Sequence, residues 1–173
     1  AANGRPPAGV ELPPGYVIGP EDLLMIVFWR DQLLSGDVRV RPDGKISLPL
    51  LNDIQAAGAT PEELRARLAE AASKFLQEPN PTVIVKEIRS RNVFITGNVA
   101  KPGVYPLNSE MNVLQLIAQA GGLLEYADSK KIVVIRNENG RQRYYRFNYN
   151  DVIRQKRVQQ NIALKPGDTV VVP

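Results

Sequence analysis

The residues best suited to chemistry lie in the stretch RNENGRQRYYRF, 136–147. If residues 141–147 form a strand, Arg141, Arg143, Tyr145 and Phe147 share one face, because side chains alternate across a strand. Guanidinium forks hold carboxylate or phosphate bidentately, and aromatic faces stack on sugar rings or bases. Arg141, Arg143, Tyr145 and Arg146 are therefore the candidate contacts for an acidic partner. The competing reading makes Tyr145 and Phe147 part of the core, with the arginines merely flanking them.

A second set of reactive groups is the carboxylates of Glu21, Asp22, Asp31, Asp37, Asp43 and Asp53. Hydrolysis by paired carboxylates needs two of them across one cleft at a set separation. Asp43 and Asp53 instead occupy positions where turns favour Asp, and Asp22 and Asp168 stand at strand entries, so the reading is structural. The chain contains no His and no Cys, which removes imidazole bases, thiol nucleophiles, disulfides and the common zinc and copper ligand sets. No Walker A loop, Gly-x-Gly-x-x-Gly turn, Gly-x-Ser-x-Gly elbow or EF-hand loop occurs. The expectation is a protein that is not an enzyme and uses no cofactor or metal.

At 173 residues and 43% hydrophobic content, the chain suits one large domain or two small ones. Residues 1–90 carry 10 Lys+Arg and 12 Asp+Glu, whereas residues 91–173 carry 12 and 6, giving the halves −2 and +6. A basic half suits an acidic glycan, a membrane surface or nucleic acid, but no nucleic-acid recognition motif accompanies it, so nucleic acid is not an expected partner. The longest uncharged apolar run is LLMIVFW, residues 23–29, and a bilayer-spanning helix needs roughly 20 such residues. No basic segment followed by an apolar one opens the chain, so any signal peptide is expected to be gone already.

These residues must be positioned by short elements. Residues 1–14, rich in Pro, Gly and Ala, read as a flexible lead-in. An apolar run follows Gly19-Pro20. Val38 and Val40, then Ile46 and Leu48, alternate around Asp43-Gly44, which predicts a hairpin there, and a turn near Asn52-Asp53 leads to Ile54 and Ala56. Thr60, Pro61 and Glu63 predict a capped helix with a stripe of Leu64, Leu68, Ala71 and Phe75. A strand over 82–88 completes β-β-β-α-β. In the second half, the run NVFITGNVAKPGVYPL predicts two strands about a Lys-Pro-Gly turn, with Pro106 near a sheet edge. A short helix follows with Asn112 and Gln115 as its cap and Val113, Leu114, Ile117 and Ala118 buried. Gly121 or Gly122 ends it. Residues 130–148 predict a hairpin about Asn139-Gly140, 150–157 a short helix or turn, and Thr169–Val172 a last strand. IGPEDLLMIVF at 18–28 faintly echoes LKPGDTVVVP at 164–173, each placing Pro and Asp ahead of a strand.

YVIGPEDLLMIVFW, SGDVRVRPDGKISLPLLNDIQAAGATPEEL and LQEPNPTVIV together resemble the N-terminal domain of the bacterial polysaccharide biosynthesis/export family. VFITGNVAKPGVYPL followed by NVLQLIAQAGGL resembles its soluble-ligand-binding β-grasp (SLBB) domain. The resemblance implies an α+β protein of two small domains, 15–90 a mixed sheet with one helix and 91–173 the β-grasp. It implies a periplasmic component, associated with the outer membrane, of a capsule or exopolysaccharide export machine. By likeness such components self-assemble and work with an inner-membrane copolymerase, and a separate outer-membrane β-barrel is a further expected partner. The basic half points to an acidic polysaccharide. The alternative is a monomeric glycan-binding adaptor. Asp43, Gly44, Pro102, Gly103, Gly121 and Gly122 are implied to be structural signatures.

Overall fold

A computed structural model describes residues 8–173. They fall into two compact units, the first ending at Ser90 and the second running from Arg91 to Pro173. The architecture is α+β.

Unit 1 contains β1 (Leu23–Phe28), β2 (Asp31–Arg39), β3 (Lys45–Leu48), β4 (Asn52–Gln55), α1 (Pro61–Ala72) and β5 (Pro81–Glu87). The strands form an antiparallel sheet in the order β2-β1-β5 and a separate β3-β4 ribbon. Alternation along β1 buries Leu24, Ile26 and Phe28, and they join Leu64 and Leu68 of α1 in one core. Helix α1 starts as its sequence predicts. The Glu63 N–H donates to Thr60 Oγ1 at 3.2 Å, the Thr60 N–H donates to Glu63 Oε2 at 2.9 Å, and Pro61 fills the first turn.

Four expectations for this unit are corrected. A fourth strand precedes the helix, because β1 and β2 form a hairpin whose two-residue turn is Trp29-Arg30; nothing in that pair signals a turn. The Asp43-Gly44 turn exists, with the Gly44 N–H on the Arg41 C=O at 2.8 Å. It links strands of different sheets rather than a hairpin, and the true hairpin partner of β3 is β4. Asn52 and Asp53 lie in β4, and the chain reverses just before them. The helix stops at Ala72, which takes the buried place expected of Phe75; Phe75 lies past the helix end, where Ser73 Oγ donates to the Glu70 C=O at 2.6 Å. The lead-in expected over 1–14 falls outside the described residues up to position 7. Beyond it, the Val10 N–H donates to the Val85 C=O at 2.9 Å and Pro13 is buried.

Unit 2 contains β6 (Asn92–Gly97), β7 (Gly103–Pro106), α2 (Val113–Gln119), β8 (Ile132–Glu138), β9 (Arg141–Phe147), α3 (Tyr149–Ile153) and β10 (Thr169–Val172). Its sheet has the order β7-β6-β10-β8-β9, with β10 parallel to β6 and antiparallel to β8. Pro106, lacking an N–H, sits on the edge strand β7, where it costs no interior ladder bond. Helix α2 buries Val113, Leu116 and Ile117; Leu116 takes the role expected of Ala118, which is exposed, while Leu114 is half-buried.

The faint echo between the two units is a shared device. Gly19-Pro20-Glu21-Asp22 is a turn closed by the Asp22 N–H on the Gly19 C=O at 3.3 Å, with Glu21 at φ 70°. Lys165-Pro166-Gly167-Asp168 is closed in the same way at 3.1 Å, with Gly167 at φ 89°. Pro second and a left-handed residue third is the type II pattern. In each, the Asp carboxylate turns back to accept the first residue's N–H, from Gly19 at 3.1 Å and from Lys165 at 2.8 Å. Asp22 is fully buried and also accepts from Tyr16 Oη at 2.6 Å, the Arg89 and Ser90 N–H groups at 2.8 Å each, and Ser90 Oγ at 2.9 Å.

Two substitutions separate these roles. D22N leaves buried donors facing an amide, and is expected to cost about 2–3 kcal/mol. E21G relieves a left-handed conformation at a position where the second unit already has glycine, and is expected to stabilise by roughly 0.5 kcal/mol. Urea unfolding followed by circular dichroism checks both.

Candidate functional site

The hairpin of β8 and β9 is a two-stranded ribbon whose turn residues Asn139 and Gly140 have φ 52° and 76°. Both are left-handed, which matches the right-handed twist of the strands. One face carries Phe147, Tyr145, Arg143 and Arg141, and opposite them on β8 stand Ile132, Val134, Arg136 and Glu138. Phe147 is fully buried, Tyr145 is half-buried, and Arg143 and Arg141 are exposed toward the tip. The reading that makes Tyr145 and Phe147 core is the one this face follows, with the arginines continuing it into solvent.

Charge on this face is organised around Arg136. It is buried and grips Asp168 with both arms, Nε to Oδ1 at 2.9 Å and Nη2 to Oδ2 at 2.7 Å, while Nη2 also donates to the Ala163 C=O at 3.0 Å. The Asp168 hydrogen bonds push the Arg136 guanidinium pKa up against the opposing effect of burial. Its guanidinium lies 5.1 Å from the centre of the Tyr145 ring. Glu138 accepts from Arg143 Nε at 3.1 Å and Tyr145 Oη at 3.3 Å, so two of the four candidates are already partnered.

Arg146 points the other way. Strand alternation puts it with Gln142 and the exposed Tyr144, whose hydroxyl donates to Gln142 Oε1 at 3.0 Å. There it lines, with Lys130 and Lys131, an open groove of about 450 Å³. The structure thus brings Arg141, Arg143 and Tyr145 together and separates Arg146 from them. Lys130, Lys131 and Tyr144 are not among the sequence candidates, because alternation along β9 does not show which groove Arg146 lines.

The carboxylates of unit 1 are spread among separate partners. Arg41 bridges Asp43 and Asp53, donating to Asp43 Oδ1 at 3.1 Å and to Asp53 at 2.9 and 3.1 Å. The Arg41 hydrogen bonds and the Lys45 N–H bring Asp43 down to about 2. Asp53 is lowered first by the Ser47 hydroxyl, at 2.7 Å, and then by Arg41. Asp31 accepts from the Leu33 and Leu34 N–H groups, and Asp37 pairs with Lys86 at 2.7 Å. Among the described residues no group of three or more His, Cys, Asp or Glu side chains could hold a metal, and no helix is long and apolar enough to cross a membrane.

The signature turns meet each other. The Gly121 N–H donates to the Ala118 C=O at 3.1 Å and the Gly122 N–H to the Ile117 C=O at 2.9 Å, the paired bonds of a Schellman cap. The Ala100 and Lys101 N–H groups then donate to the Gly122 and Ala120 carbonyls at 3.1 and 2.8 Å. A β-carbon on Gly121 would lie 2.8 Å from the Ala100 methyl, so the loop carrying Pro102 and Gly103 docks on this cap only because Gly121 has none. Gly44 similarly holds Ala56 and Ala57, whose N–H groups donate to its carbonyl at 3.0 and 2.8 Å.

Residues 10–86 match the family model for polysaccharide biosynthesis/export protein, and residues 91–172 match that for the SLBB domain. Among curated relatives, the exopolysaccharide production protein ExoF of Rhizobium meliloti (strain 1021) is 34% identical over 91 residues, covering 52% of this chain and 22% of that protein. The polysialic acid transport protein KpsD of Escherichia coli is 27% identical over 134 residues, 76% of this chain and 24% of that protein. The EPS I polysaccharide export outer membrane protein EpsA of Ralstonia nicotianae (strain ATCC BAA-1114 / GMI1000) is 27% identical over 183 residues, 91% of this chain and 47% of that protein. The chain therefore spans less than half the length of these relatives.

The Arg41 bridge generates an acid-limb prediction. Carboxylates whose folded pKa is depressed contribute stability that is present above their unfolded value and lost as pH falls through the folded one. For Asp43 that window runs from 3.8 down to about 2. R41M is expected to lower the urea midpoint at pH 7 and so flatten its fall across that window, leaving the low-pH end unchanged; both effects are small, since the groups are solvent-exposed.

Proposed function

The chain belongs to the polysaccharide biosynthesis/export family, with an SLBB domain as its second unit, and from this we propose that it is a periplasmic component of a capsule or exopolysaccharide export machine. It acts by assembly and contact rather than by catalysis. The observation that carries the reading is that the two matches together run from residue 10 to residue 172, so both compact units are accounted for. Relatives named for exopolysaccharide production, polysialic acid transport and outer-membrane polysaccharide export support the same direction. Its partners in this reading are the polysaccharide, further copies of itself, an inner-membrane copolymerase and a separate outer-membrane barrel.

Unit 2 makes the glycan contact in this reading. Arg141 and Arg143 on one face of the β8–β9 ribbon, and Arg146 beside Lys130 and Lys131 on the other, present cations to two sides of one projecting element. A thin basic ribbon of this kind suits the carboxylates spaced along an acidic polymer, which it can meet without enclosing them. Tyr145 positions Arg143 through the shared Glu138.

Binding of an oligogalacturonate hexamer, as a generic acidic glycan, is expected to weaken roughly tenfold in R141A/R143A/R146A at low ionic strength and to converge with the wild type at high salt, as exposed charge contacts do. Unchanged affinity at low salt would remove the ribbon from the reading. Absolute mass by light scattering over a wide concentration range tests assembly: a discrete high-order species is expected, and a monomer throughout would favour the adaptor.

A further inference from the structure

The tip of the β1–β2 hairpin carries the single tryptophan of the chain, Trp29, which is 77% exposed. Leaving so large an aromatic in water forgoes the stabilisation its burial would bring. The turn that displays it holds Arg30 at φ 64°, a conformation costing a non-glycine residue on the order of 1 kcal/mol. That backbone sets the Arg30 guanidinium 6.0 Å from the Trp29 ring centre.

Beside the ring lies an open groove of about 470 Å³, between the hairpin tip and the segment that leads from α1 into β5. Gln77, Glu78 and Asn80 line it, and among the described residues their side chains make no hydrogen bond or ion pair. Asp31, also on the wall, has Oδ1 engaged by the Leu33 and Leu34 N–H groups. The combination is a flat apolar face next to planar amides and a carboxylate with unused hydrogen-bonding capacity. A pyranose ring presents the complement: a face of C–H groups to lie on the indole, and a rim of hydroxyls to bond amides and carboxylates. The charge is also informative. One arginine against Asp31 and Glu78 leaves the groove without net positive charge, unlike the ribbon of unit 2.

We propose that the Trp29 groove is a sugar-ring subsite that holds a neutral hexopyranosyl unit by stacking, with Gln77, Glu78 and Asn80 bonding its hydroxyls. This rests on the reading of the chain as a polysaccharide-export component, and adds to the charge-based contact of unit 2 a second one that does not depend on charge.

Because Trp29 is the only tryptophan, its emission reports this groove alone. Titrating the whole chain with maltohexaose is expected to give a saturable blue shift and protection from acrylamide quenching, both unaffected by salt. Calorimetry is expected to show roughly tenfold weaker binding in W29A and severalfold weaker binding in Q77A/N80A with thermal unfolding unchanged. R141A/R143A/R146A is expected to bind maltohexaose like the wild type. No emission change up to the solubility limit of the sugar overturns the subsite. A blue shift that follows protein concentration and molecular mass in the absence of sugar overturns it too, assigning Trp29 to contact between copies. If maltohexaose is silent while oligogalacturonate binds in a salt-sensitive manner, the subsite fails and the export reading stands; if neither sugar binds, the subsite and the proposed glycan contact fail together.

Discussion

A carboxylate withdrawn from water has to find a full set of donors or a cation, and each unit of this protein is arranged around one that does. Asp22 is supplied entirely by neutral donors, from residues 16 and 19 on one side and residues 89 and 90 on the other. It therefore ties the entry of the first strand to the end of the last segment in its unit. Asp168 is supplied by Arg136 and the Lys165 N–H. It joins β10 to β8 and holds the base of the ribbon that projects beyond the sheet. With Asp168 in place, Arg136 can stand beneath Tyr145, Tyr145 can reach Glu138, and Glu138 can orient Arg143.

Much of the fold was legible because it rests on residues with one conformational message. Thr60-Pro61 with Glu63, Asn112 with Gln115, Asn139-Gly140, and the glycine pair after α2 each announce a cap or turn, and each is found as such. Unit 1 was harder to read. Glu21, Arg30, Leu50, Asn52 and Glu78 all adopt positive φ there, and none is the glycine that normally marks such a bend. The β1–β2 reversal turns on Arg30 and was invisible for this reason. The Asp43-Gly44 pair predicts a hairpin and forms only a turn, because a turn signal does not say which sheet the next strand will join.

The candidate site divides in the same way. Alternation along β9 was enough to place Arg141, Arg143, Tyr145 and Phe147 on one side, since a strand admits no other arrangement. What alternation could not disclose is that Glu138 engages Arg143 and Tyr145, because that depends on the cross-strand register of a hairpin. It also could not show that Arg146 faces a groove with Lys130 and Lys131. Trp29 was hidden by its neighbours: an apolar run ending in Trp reads as a strand that continues, whereas the chain reverses on it.

The gathering of donors around Asp22 has a mechanical consequence. The family match ends at residue 86, yet the last donors to Asp22 are at 89 and 90. Tension applied to the chain where it leaves unit 1 would reach these bonds before any strand of the sheet. The first element to yield under load would be a compact polar clasp rather than a sheet edge, and β5 would stay paired while the clasp opened. A fragment cut at residue 86 would lack the three bonds to Asp22 that residues 89 and 90 supply.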